Sequence, residues 1–101
     1  MRVRIDLGKD PKGQYGEYFI QIFRDVTSDA ERLEYSSSTE ALIDAYWVAY
    51  TFFRDQNPEE VSLFNEKGEE IICLKSKDEA AMWFRRAVET FKEKHGHRRV
   101  Y

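Results

Sequence analysis

Few residues of this chain are of types and at spacings that could do chemistry. His95 and His97, in "HGH", are the only histidines, and Cys73 is the only cysteine. A structural zinc site needs four nitrogen or sulfur ligands, so these three residues at two distant places do not make one. A helix-ending histidine beside a tail histidine reads as solvated, and Cys73 within "EEIICLK" reads as a buried thiol on an apolar strand. With no second cysteine an internal disulfide is excluded, which fits a reducing compartment.

The serines at 36–38 lack the glycine-flanked elbow of a hydrolase nucleophile and suit the start of a helix instead. Glu59 with Glu60, and Glu69 with Glu70, are neighbours in or beside strand-like segments. Side chains of adjacent strand residues point to opposite faces, so neither pair forms a carboxylate dyad. "GKDPKGQYG" has two lysines among its glycines but not the spacing of a phosphate-binding loop. Arg85 and Arg86 fall on the exposed side of a helix. The expectation is a protein without catalytic residues, metal site or cofactor.

The elements that would position these groups follow from hydrophobic periodicity. "RVRIDL" alternates, with Val3, Ile5 and Leu7 on one face and Arg2, Arg4 and Asp6 on the other, which predicts a half-buried strand. After the glycine-rich loop, "EYFIQIFRDV" predicts a second strand with both faces partly apolar: Tyr18, Ile20 and Ile22 against Phe19, Gln21 and Phe23. "TSDAE" predicts a turn and "RLEYS" a short third strand. A helix then opens at Ser38 or Thr39 as cap, and it should stop near Gln56, because Pro58 disfavours helical geometry at Asn57. "EVSLFNEKGEEIICLK" predicts a hairpin turning at Gly68. A second helix, capped by Ser76 or Asp78, should end before Gly96.

The order β-β-β-α-β-β-α predicts an α+β two-layer sandwich: a mostly antiparallel five-stranded sheet with two helices on one face. At 101 residues, with 42% hydrophobic and 35% charged residues, the chain should form one domain over 1–101. "HRRVY", at 97–101, should be a flexible tail or a short edge strand. Glu40, Ala41, Thr51 and Phe52 recur 39 places on as Glu79, Ala80, Thr90 and Phe91, a faint echo between the helices. No apolar run is long enough for a membrane span and no secretory leader is evident, so the expected location is cytoplasmic.

The aromatic content, 15%, is high and unevenly placed. In "ALIDAYWVAYTFF", at about 100° per residue, Leu42, Ala45, Tyr46, Ala49, Phe52 and Phe53 form the sheet-facing side. Ala41 and Val48 widen that arc on one flank, Ile43, Trp47 and Tyr50 on the other. The second helix is simpler: Ala80, Trp83, Phe84, Ala87, Val88 and Phe91 form one stripe to lay on the sheet, and Met82 lies outside it. Two apolar surpluses remain. Ile43, Trp47 and Tyr50 either meet the second helix or form an exposed shoulder for a partner or a second copy. Phe19 and Phe23, with Arg2, Arg4 and Phe64 nearby, lie on the sheet face away from the helices. Such a face can stack bases, although the net charge of −3 disfavours a dedicated duplex binder.

The leading expectation is a non-catalytic domain that binds or inhibits another protein through aromatic surface. Single-stranded nucleic-acid binding by the open sheet face is the alternative. A third is an engineered α+β scaffold, favoured by the clean caps and turns. Tyr, Trp and Thr inside the first helix oppose it.

Overall fold

A computed structural model describes residues 1–24 and 31–94. Its elements are β1 (Arg2–Lys9), β2 (Tyr18–Arg24), β3 (Glu31–Tyr35), α1 (Ser38–Asp55), β4 (Glu60–Phe64), β5 (Glu70–Leu74) and α2 (Lys77–Lys94). The expected turn over "TSDAE" falls mostly outside the described residues. His95, Gly96, His97 and the tail lie wholly outside them.

The five strands form one sheet in the order β3-β2-β1-β4-β5. Three of its four pairings are antiparallel, and β1 with β4 is parallel. The expected α+β sandwich with a mostly antiparallel sheet is therefore observed. The parallel pair arises because α1 carries the chain from β3, at one edge, back across the sheet to the free side of β1. Parallel neighbours need such a crossover, whereas the other pairs can be joined by short turns.

Registers set the two faces of the sheet. Ile22, Ile5, Leu63 and Ile72 stand side by side across four strands, and Val3, Val61 and Leu74 form the next row. Ile5, Val61, Leu63 and Leu74 are completely shielded from solvent. Burial of each such side chain stabilises the fold by about 1.5–3 kcal/mol relative to exposure. On α1 Ala45, Tyr46, Ala49, Phe52 and Phe53 are buried as the helical periodicity predicts, while Leu42, expected with them, is only half-buried and Ala41, expected on the flank, is buried instead.

The helix ends show local chemistry at work. Ser37, extended at φ −141°, caps α1: its hydroxyl accepts the Glu40 N–H at 3.2 Å. That is one residue before the expected Ser38, because the cap must reach the third helical amide from outside the helix. At the other end Gln56 and Asn57 both donate to the Phe52 carbonyl, and Asn57 turns to φ 48° ahead of Pro58. Ser76 caps α2, and the Glu79 carboxylate returns to the Lys75 N–H at 2.7 Å. In the β4–β5 hairpin the Asn65 side chain accepts from Lys67 and Glu69, and Gly68 takes φ 81°. Leu63 pairs with Ile72 but Phe64 with Glu70, so Ile71 is an extra residue in a bulge.

The second helix departs from expectation in one respect. Its stripe was expected on the sheet, yet it leans chiefly on α1. Tyr46 stacks on Trp83 at 6.3 Å between ring centres, and Trp47 meets Phe84 at 5.4 Å. Only Ala80 is fully buried among its described side chains. The apolar arc of α1 is wide enough to serve the sheet and a neighbouring helix together. Among the described residues no helix is long and apolar enough to cross a membrane.

Candidate functional site

The five residues singled out in the sequence fall at three separate places. Trp47 and Tyr50 are together: their rings stack at 5.5 Å, and Trp47 also contacts Phe84 from α2. With Arg54, Ala81 and Arg85 they line a shallow groove of about 280 Å³ between the helices. Trp47 retains 42% of its surface in solvent despite these contacts. The Arg54 guanidinium lies 6.0 Å from the Tyr50 ring centre and is paired with Asp55. This is how residues spaced three apart on α1 come to share a surface with α2.

Ile43 does not join them. It faces a separate, larger open cavity of about 650 Å³ bordered by α1, α2, the end of β1 and the β4–β5 hairpin. Tyr46 and Trp83 form part of its wall, and burial raises the Tyr46 phenol above its ordinary pKa.

Phe19 and Phe23 lie on the open face of the sheet, as the alternation predicts, but in different settings. The far end of the Phe19 ring sits against Gly8, where an added Cβ would collide with it. The Arg32 guanidinium covers that ring at 4.0 Å. Phe23 stands opposite Arg4, which in turn covers Phe64 at 4.1 Å. The charges of this face are largely neutralised in place. Arg4 binds Asp6 at 2.7 Å, Arg32 binds Asp10 and Glu34, Arg2 binds Glu59, and Lys75 binds Glu60. The Lys12 N–H, then Arg32, holds the Asp10 carboxyl below its ordinary pKa, and Lys75 does the same for Glu60. Cys73, expected to be buried, is half-exposed on this face because its partner in register is the outward Ser62, whose hydroxyl donates to its sulfur at 3.5 Å.

None of these arrangements pairs a nucleophile with a base. The strongest perturbation is at Tyr35, whose hydroxyl donates to Asp44 on α1; burial, then that bond, pushes its pKa far up. A phenol so held is a tie between β3 and α1 and a poor proton donor. Among the described residues no three His, Cys, Asp or Glu side chains cluster to hold a metal ion.

Sequence reasoning assigned Phe84, Trp83 and Arg86 to α2's own stripe or to solvent, and so missed that they complete the two helical hollows. Their signal was the Trp83-Phe84-Arg85-Arg86 run facing the widened flank of α1. Ile71 gave no such signal, since a bulge leaves no mark in the unbroken "EIICL". No protein-family model, curated protein or solved structure matches this chain.

Proposed function

We propose that this chain is a non-catalytic domain that recognises another protein through the groove of Trp47, Tyr50 and Phe84. The observation that carries the reading is that Trp47 is 42% exposed while its ring is held between two aromatic neighbours. A large side chain already fixed in place loses little rotamer freedom on binding, and Trp and Arg are the residues that most often dominate interfaces. Arg85 at the groove has no ion-pair partner among the described residues, which favours a partner with acidic groups around an apolar centre. The open face, with Phe19 and Phe23, is a secondary contact surface. A cytoplasmic location suits the half-exposed single thiol of Cys73.

The test is capture of partners by the wild-type chain and by Trp47→Glu side by side, with circular dichroism and sedimentation on both. A stoichiometric partner held by the wild type and lost in the folded variant supports the reading. Partner binding that survives Trp47→Glu overturns it, and so does a variant that unfolds.

Single-stranded nucleic acid remains the second reading, because Phe19, Phe23 and Phe64 share a face with Arg4 and Arg32. Against it, both arginines already have carboxylate and ring partners, and phosphate would have to displace them. Salt-sensitive binding of a fluorescent oligonucleotide would promote this reading.

A further inference from the structure

The cavity of about 650 Å³ lies within the size range of small-molecule sites, and its chemistry is asymmetric. Leu7, Leu42, Ile43, Tyr46, Ile71 and Trp83 make an apolar wall. Two features show that this wall is built rather than left over. The bulge in β5 takes Ile71 out of the ladder and makes it part of the lining, where it is 45% exposed. Bulges of this kind re-aim side chains beside functional sites. The second feature is Arg86, whose guanidinium lies 5.1 Å above the Trp83 ring at the cavity.

Arg86 differs from most arginines of the chain. Arg2, Arg4, Arg24, Arg32 and Arg54 all have carboxylate partners. Arg86 has none among the described residues and is held only by the indole. Its planar fork is thus oriented with its donors unused, and such a fork suits a carboxylate. Glu66 on the hairpin also borders the cavity and disfavours a second negative charge there.

We infer that this cavity binds a small amphipathic carboxylate, with its apolar body against Leu42, Ile43, Ile71 and Trp83 and its single anionic head on Arg86. This site is separate from the Trp47 groove, and either can fail without the other. The experiment is a titration of the ¹⁵N-labelled chain with dodecanoate, and separately with dodecanol, below their aggregation limits. Dodecanoate should shift the Trp83 indole and the amides of Leu42, Ile43 and Ile71, and dodecanol should bind more weakly. Arg86→Gln should weaken dodecanoate by about tenfold, the scale of one charge-assisted contact, and leave dodecanol unchanged. Ile71→Glu, a change at a half-exposed position, should abolish dodecanoate binding in a folded protein. Absence of shifts at these residues overturns the inference. So does dodecanol binding as tightly as dodecanoate, or Arg86→Gln leaving the carboxylate's affinity unaltered.

Discussion

The two faces of the sheet come from the same five strands, read at alternate residues, and they dispose of their side chains in opposite ways. On the inner face Val3, Ile5, Ile20, Ile22, Val61, Leu63 and Leu74 are removed from water by the helices. On the outer face no described element covers the strands, and the side chains cover one another: arginine on phenylalanine, carboxylate on arginine. The inner face derives its energy from a second layer. The outer face is satisfied within one layer, and this is why its arginines and phenylalanines are weaker candidates for a partner than their types suggest. Arg85 and Arg86, which have no carboxylate partner among the described residues, and the part-exposed Trp47 all lie on the helical side.

The largest expected effect tests the inner layer. Phe53→Ala removes a buried ring from the centre of the α1 face and should cost about 3–5 kcal/mol in urea unfolding. A loss near that of a surface change would mean that α1 is not seated on the sheet. Gly8→Ala addresses the outer layer, since its methyl must displace the Phe19 ring and with it the Arg32 contact. A destabilisation of about 1–3 kcal/mol is expected, as for overpacking elsewhere. If stability instead stays unchanged, the outer aromatics are loosely held and available.

Tyr35→Phe probes the tie between the layers. It should cost about 1–2 kcal/mol near neutrality, where the hydroxyl donates to the Asp44 carboxylate. The folded pKa of Tyr35 is raised above its ordinary value of 10.0, so the stabilising contribution is fully present below that value. It is lost as pH rises through the range between the two. Alkaline unfolding should therefore set in above pH 10.0 in the wild type, and a comparison of melting temperatures should show less of this loss in Tyr35→Phe. The smallest effect is expected at Arg4→Gln, whose exposed pair with Asp6 should change stability by about 0.2–1 kcal/mol. A larger loss would show that the outer charge network is cooperative.

The comparison also shows what could be read in advance. Strand alternation in "RVRIDL" and the helical arc of α1 report burial directly, so all seven elements and the two faces were legible. Three things were not. The cap of α1 depends on which serine is extended, a difference of one residue among three identical ones. The seat of α2 depends on how far α1's arc extends beyond the sheet, which periodicity cannot rank. The cavity depends on a bulge at Ile71 and on Arg86 having no carboxylate partner among the described residues, and both are set by three-dimensional placement rather than by composition. Trp47 and Tyr50 were legible as a pair because both belong to one helix; their third member, Phe84, belongs to another.

The parallel pairing of β1 with β4 also has a consequence for the order of events during synthesis. Arg2 and Glu59, which flank this seam, are 57 residues apart in the chain. β2 and β3 can fold back on β1 as soon as they leave the ribosome, but the other edge of β1 must wait until the whole of α1 has been made. For that interval the strand that will become the centre of the sheet is an exposed edge, open to pairing with other nascent chains. Arg2, Arg4 and Asp6, alternating along it, place charge at each second position of that edge. The residues that are merely solvent-facing in the finished sheet are thus the guard of an unfinished one.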